Sequence, residues 1–358
     1  MTRQKQVVLF WAMMVSALLV CLLLFRPILL PFVAGAAIAY LLDPLVTSLE
    51  ARGVNRSISA IGMLVLLTLV LIAVAIVVVP LLVDQTIGLI EGLPGFVTRL
   101  QELFGAFLDS DWARFLGLDP DSIRASVAGF MSRGVELTTT VLSSLWTGGR
   151  FVVDVVSLLI VTPFVAFYLL RDWDAVVAWV DGLLPRDESG EFRRLASAID
   201  AKIAAFVRGQ FVAGILLGLF YSVGLVAIGL NYGLLIGLAS GVFSFVPYLG
   251  FTIGFAVSLV VAMVQFWPDW QWLAAVVVVF MLGQLFEGYV LQPFLVGKSV
   301  GLHPVWLLFA LFAFGYLFGF LGLLIAVPAA AAVGVVANYA IGRYRKSVIY
   351  TGSHRDRG

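Results

Sequence analysis

Charged residues and cysteine are both scarce in this chain. Of its 358 residues, 12% are charged and 62% are hydrophobic, whereas a soluble domain carries about 25% charged residues. The mean hydropathy of +1.07 excludes an ordinary water-soluble fold, because lipid and not water must cover so much apolar surface. Cys21 is the sole cysteine, which excludes a disulfide framework.

Signatures of common enzymes are also missing. The sequence contains no His-Glu-x-x-His, no Gly-x-Ser-x-Gly and no Walker-type nucleotide loop. Its two histidines, His303 and His354, do not supply a zinc site. A net charge of +1 creates no field that would attract nucleic acid. We therefore expect no catalysis, no metal, no other cofactor and no nucleic-acid partner.

Long apolar runs dominate what is present. A helix needs about 20 apolar residues to cross the hydrocarbon core, and such runs occupy about 7–25, 27–46, 59–82, 150–170, 206–229 and 271–296. Stretches 232–266 and 304–341 are interrupted apolar runs, which we interpret as helical hairpins that either re-enter or cross twice. The predicted fold class is an all-α polytopic membrane protein with about eight transmembrane segments, including two helical hairpins, plus amphipathic helices.

The same runs divide the chain into six regions. The first apolar run lacks a small-residue cleavage site, so we interpret it as an uncleaved span. The predicted regions are N-terminal transmembrane helices (1–83), an extracytoplasmic amphipathic helical region (84–149), a transmembrane helix (150–170), a cytoplasmic amphipathic arm (171–205), a C-terminal transmembrane core with hairpins (206–346) and a cytoplasmic tail (347–358).

The distribution of Lys and Arg predicts the orientation. With the N-terminus inside, 16 of the 22 Lys and Arg residues fall on the cytoplasmic side, as the positive-inside rule requires. Trp267, Trp270 and Trp272 then lie at the outer boundary, where aromatic belts form. We expect a multi-pass protein of the inner membrane with both termini in the cytoplasm and lipid as its surroundings.

Two polar stretches carry helical periodicity. Apolar residues recur at helical spacing in 119–146 and in 187–208. Each predicts an amphipathic helix packed on the bundle or lying in the interface. A gate, a lid or a contact between copies in a homo-oligomer is the alternative for both.

A few polar residues lie in or beside the spans. Glu287 falls within the 271–296 run with Gln284 one turn before it and Gln292 beyond it. Since a charge near the bilayer centre costs about 2.5–3.5 kcal/mol, such residues normally face an interior. Arg208 and Gln210 open the fifth span. These five residues, with Asp200, are candidates for a transport path; pairing of Glu287 with Arg208 or Lys298 is the alternative.

Glycine and proline mark two further features. Gly229, Gly233, Gly237 and Gly241 recur every fourth residue, which predicts a flat helix face for close packing or for sliding. Pro247, with Gly250 after it, and Pro328 interrupt the two hairpin stretches. Such breaks are typical either of a transporter's binding site or of a tight turn at one membrane face.

Several blocks together resemble one family. They are 31–35 (Pro-Phe-Val-Ala-Gly), 39–45 (Ala-Tyr-Leu-Leu-Asp-Pro-Leu), 163–172, 199–200, 206–210, 246–250, 287–293, 297–304 and 326–329. In this order the blocks resemble the autoinducer-2 exporter family of membrane proteins along nearly the whole chain, whereas 84–149 matches no block. The resemblance implies about eight membrane segments, cytoplasmic termini and a transport role. It leaves the cargo open, since other members resemble sodium or lithium/proton antiporters.

Three functions follow as hypotheses. The first is a secondary transporter or exporter of a small solute or ion, with Glu287 lining the path. The second is a sodium (or lithium)/proton antiporter. The third, from another class, is a non-transporting membrane scaffold that docks partners on 84–149.

Overall fold

The protein is an all-helical chain in the computed structural model. The structure describes residues 20–108, 149–184, 189–296 and 303–347, with positions 13, 14, 16, 17, 129 and 350. In those ranges every regular element is a helix, which confirms the predicted fold class. After a 3₁₀ turn at Arg26–Ile28, the helices are α1 (Leu29–Glu50), α2 (Arg56–Leu108), α3 (Gly149–Gly182), α4 (Ser189–Ala227), α5 (Gly233–Phe243), α6 (Leu249–Phe266), α7 (Trp270–Phe286), a π-helix (Glu287–Val296), α8 (Pro304–Phe318) and α9 (Phe320–Arg345).

Seven helical stretches are long and apolar enough to cross a membrane. They are Arg26–Glu50, Arg56–Gly92, Val155–Gly182, Ser189–Ala227, Leu249–Phe266, Trp270–Pro293 and Phe320–Arg345. The most apolar part of Arg56–Gly92 has no buried residue, and such a surface is stable only against lipid. The chain is therefore a multi-pass membrane protein in contact with the bilayer.

Two apolar helices, α5 and α8, are too short to cross alone. They have 11 and 15 residues, and at 1.5 Å per residue neither reaches the roughly 30 Å of the hydrocarbon core. Each is followed, after a short turn, by a longer helix that packs against it, α6 or α9, so each pair forms a hairpin. The two predicted hairpins are thus helix pairs of unequal length.

The first hairpin breaks where the sequence predicted. Residues 244–248 form turns between α5 and α6, and Pro247 lies among them. Proline supplies no N–H for a helix, and Tyr248, the N-cap of α6, takes a positive φ of 68°.

The second hairpin differs from the prediction. It turns at Gly319, with φ 62° and ψ −138°, while Pro328 lies inside α9. Only glycine adopts this backbone region at low cost, so Gly319 ends α8. Pro328 removes a single helical hydrogen bond, which transmembrane helices tolerate because neighbouring groups satisfy the freed carbonyl.

Two predicted boundaries also lie inside helices. The third span continues as α2 to Leu108, so the first part of region 84–149 is one helix with the span before it. Helix α4 begins at Ser189, so the arm before residue 206 runs into the fifth span without a break. The amphipathic helix predicted over 119–146 lies outside the described residues, apart from Gly129.

The chain forms two compact units. The first unit comprises Met1–Leu66, Ser157–Gln210 and Gln292–Gly358, and the second comprises Leu67–Val156 and Phe211–Leu291. In the first unit, Val46, Ala166 and Ala326 are fully buried. In the second unit the core lies between α4 and α7, where Tyr221 and Phe280 are 0% exposed.

Candidate functional site

Helices α4 and α5 pack against each other in the second unit along a row of glycines, Gly233, Gly237 and Gly241, which we call the glycine seam. A Cβ at Gly237 would overlap the backbone of Ser222, and one at Gly241 would overlap Gly218. Gly233 lies against Leu225 in the same way. The two backbones approach closely because no side chain separates them.

Gly229 does not belong to this seam. Helix α4 ends at Ala227, so Gly229 lies in the turn before α5, where its φ is 76° and no described atom is within 4 Å of its Cβ position. Its place in the turn depends on backbone freedom rather than on close packing.

Side chains from neighbouring helices satisfy the start of α5. Gln85 of α2 accepts a hydrogen bond of 2.8 Å from the Leu235 amide, and Gln265 of α6 accepts one of 2.8 Å from the Asn231 amide. The amides at the start of a helix have no partner within the helix itself. The glutamines therefore fix the mouth of the α5–α6 hairpin within the second unit.

Glu287 lies where α7 changes into the π-helix. It is half-buried, and its Oε2 accepts a hydrogen bond of 3.1 Å from the Gln284 amide. π-helical turns are rare and are frequently found at functional sites. Within the described residues no cation pairs with Glu287, so Gln284 is its main polar partner.

Tyr221 was not among the residues singled out from the sequence. It lies on α4, and its hydroxyl is next to Gly283, where a Cβ would be 2.6 Å from it. Gly283 and Glu287 are one helical turn apart on the same face. A tyrosine away from the ends of an apolar run was the one signal available, because tyrosine in membrane helices favours the interfaces.

Asp200 and Arg208 both bind Tyr40 in the first unit. Tyr40 of α1 donates a hydrogen bond of 2.8 Å to Asp200, and Arg208 donates one of 2.9 Å to the Tyr40 carbonyl. Both partners lie on α4, so Tyr40 links α1 to α4. Gln210, next along α4, is buried.

Arg56 is the centre of a second polar cluster in the first unit. Its guanidinium contacts Asp43 at 3.3 Å, Glu50 at 3.1 Å and Asp174 at 3.1 Å. It also donates a 2.7 Å hydrogen bond to the Leu170 carbonyl. The Arg56 side chain is 17% exposed, so these contacts join α1, α2 and α3 at a partly buried point.

The remaining predicted site residues lie on the π-helix and at the first hairpin. Gln292 is exposed and falls in the first unit, whereas Glu287 and Gln284 fall in the second. Gly250 opens α6 and is buried against Ser244 and Ser240. A side chain at Gly250 would block this approach, so the hairpin requires glycine there.

Comparison with known proteins places the chain in a family. The family model described as "AI-2E family transporter" matches residues 10–341. "Putative transport protein YrrI" of Bacillus subtilis (strain 168) is 29% identical over 316 residues, covering 88% of this chain and 87% of the relative. "Putative permease PerM" of Escherichia coli (strain K12) is 27% identical over 314 residues, covering 88% of each. The chain therefore belongs to the AI-2E family of membrane transport proteins, which confirms the resemblance carried by its sequence blocks.

Proposed function

We propose that this chain is a secondary transporter that exports a small solute or ion across the inner membrane of a bacterium. Its membership of a transporter family supports a transport role. The relatives are named for transport or as a permease, and none of these names gives a cargo.

The observation that carries the proposal is the position of Glu287. A carboxyl group in the span Trp270–Pro293 is costly to insert, and such groups usually mark a path for a solute or a proton. Its hydrogen bond from Gln284 occupies part of its acceptor capacity, because a carboxylate has about four acceptor positions. The remaining positions are available to a passing cargo.

The π-helix gives this position a second property. Its i→i+5 pattern departs from the regular α-helical hydrogen bonding, and such turns are frequent at functional sites. Membrane transporters use such irregular backbone beside their substrates. Glu287 and the carbonyls that follow it would thus line one part of the route, and the turn at Pro247 would supply a mobile part.

The polar cluster around Tyr40 would serve the cytoplasmic end of the route. Asp200 and Arg208 are held to Tyr40 by hydrogen bonds of 2.8 and 2.9 Å. In this proposal the Asp200 carboxylate and the Arg208 guanidinium exchange their hydrogen bonds with Tyr40 for hydrogen bonds with a charged cargo. Each charge then keeps a polar partner throughout.

The proposal also includes the orientation of the chain in the membrane. Arg343, Arg345 and Lys346 end α9, and exposed Trp267, Trp270 and Trp272 surround the junction of α6 and α7. The positive-inside rule then assigns the end of α9 to the cytoplasm and the tryptophans to the outer face. Both termini would be cytoplasmic.

Reconstitution into liposomes tests the proposal. The purified chain is incorporated into vesicles, and the flux of a panel of ions and small metabolites is compared with that of protein-free vesicles. We expect at least one solute to move down its gradient faster with the protein than without it. No accelerated flux for any solute, with a correctly inserted protein, would contradict transport and favour a scaffold.

A second assay separates export from cation antiport. Everted vesicles carry a pH-sensitive dye and an imposed proton gradient, and sodium or lithium is added outside. The export proposal predicts that the proton gradient persists. Dissipation by either cation would instead identify a sodium (or lithium)/proton antiporter.

A further inference from the structure

The Tyr221 hydroxyl is a buried polar group that has no well-formed hydrogen bond among the described residues. The residue is 0% exposed, and its ring stacks on Phe280 with centroids 4.6 Å apart. Buried hydroxyls nearly always have a partner, so an exception in a native fold calls for an explanation.

The hydroxyl lies beside the turn of α7 that leads to Glu287. It lies against Gly283, one turn before Glu287 on the same face of α7. The Gln284 side chain and the Glu287 carboxyl are its polar neighbours. The absence of a side chain at Gly283 is what allows the tyrosine to come this close.

We propose that Tyr221 is a positioning residue for Glu287, and that its hydroxyl donates a hydrogen bond to the carboxylate whenever Glu287 gives up its proton. Gln284 already donates to the same carboxyl group, so the ionised form would receive two hydrogen bonds. The inference rests on the proposed function, in which Glu287 lines the route of the cargo.

The chemistry of the surroundings supports this assignment. Helix α6 packs beside α7 and contains no Asp, Glu, Lys, Arg or His. Within the second unit the α4 residues from Phe211 onward carry Tyr221 as their only ionisable side chain, and the π-helix adds Tyr289, which is 77% exposed. Among these described elements, hydrogen bonds are therefore the means of stabilising a charge on Glu287.

Carbodiimide labelling tests the inference without knowledge of the cargo. Dicyclohexylcarbodiimide enters membranes and adds to a carboxyl group only in its protonated form, so the yield at Glu287 reports protonation. The protein in proteoliposomes is labelled across a series of pH values, and the Glu287 peptide is quantified by mass spectrometry. Glu287→Gln has no carboxyl group at this position and therefore gives the background level of labelling.

The informative variant is Tyr221→Phe, which keeps the ring and removes only the hydroxyl. Because a hydrogen bond to a charged group is lost, we expect the pH at which labelling falls to half to rise by about one unit. Tyr289→Phe is the matched control and should leave this pH unchanged. An unchanged labelling profile in Tyr221→Phe would overturn the inference.

Two further measurements keep the outcomes separate. The melting temperature of Tyr221→Phe should equal or exceed that of the wild type, since a buried unpartnered hydroxyl is removed; should the variant not fold, Tyr221→Met carries the same test. A shifted labelling profile with no transport of any solute would leave the Tyr221 assignment intact and contradict the proposed function. Solute transport with an unshifted labelling profile would support the proposed function and contradict the Tyr221 assignment.

Discussion

Arg56 lies 3.3 Å from Asp43, and this contact joins the first residue of α2 to the second half of α1. The sequence places the two residues on either side of a short loop, which residues 51–55 form. The same guanidinium reaches α3 through Asp174 and the Leu170 carbonyl. One arginine thus holds three helices of the first unit together.

Replacing Arg56 with Gln should destabilise the protein by about 1–3 kcal/mol. The side chain loses three ion pairs whose acidic partners are partly exposed, each worth about 0.2–1 kcal/mol, and a charged hydrogen bond to a backbone carbonyl. Thermal unfolding in detergent measures the effect. Arg99→Gln, which removes an exposed pair with Glu102, is the control and should unfold at the wild-type temperature; equal losses in both variants would argue against a special role of Arg56.

Gly237→Ala should damage the seam between α4 and α5. The added methyl group would overlap the Ser222 backbone, and overpacking of this kind costs about 1–3 kcal/mol. Gly62→Ala is the matched change, because no described atom lies within 4 Å of that Cβ position. Melting curves of the two variants should separate clearly, and coinciding curves would mean that the helices can move apart without cost.

Gly319→Ala should destabilise the second hairpin for two reasons. Alanine is strained at φ 62° and ψ −138°, which costs about 1–3 kcal/mol, and its methyl group would collide with the Arg26 guanidinium. Adding Arg26→Ala to this variant should restore only the part of the lost stability that is due to the collision. Gly342→Ala in α9 serves as the control, and full recovery in the double variant would show that the backbone strain is absent.

Cysteine labelling should report the orientation. In a Cys21→Ser background, Asp269→Cys and Lys346→Cys each provide one thiol at an exposed position. A membrane-impermeant maleimide added to intact cells should label the first variant, and the second only after permeabilisation. The opposite pattern would invert the topology.

Hydropathy and motif order were enough to predict the membrane class and the family. Apolar runs report burial in lipid directly, since each crossing helix must satisfy its own backbone. The turn at Pro247 was predictable for a similar reason, because proline cannot continue the hydrogen-bond pattern. The residue blocks that carried the resemblance extend over most of the chain, and the family match has the same extent.

Features that depend on contacts between distant residues were not predictable. Pro328 was predicted to break the second hairpin, and only the backbone angle at Gly319 shows that the turn lies there instead. The contact of Asp43 with Arg56 across a loop also depends on the fold. The approach of Tyr221 to Gly283 leaves no pattern along the sequence, because it depends on how α4 packs against α7.

The flux of Glu287→Gln in liposomes tests the central claim most directly, namely that the cargo passes a carboxyl group in α7 and the π-helix. Asp269→Asn is its partner variant, since Asp269 is an exposed carboxylate at the other end of α7. With equal amounts of inserted protein, we predict that Glu287→Gln reduces solute flux at least tenfold and that Asp269→Asn transports like the wild type. Wild-type flux in Glu287→Gln over the whole pH range would contradict the claim.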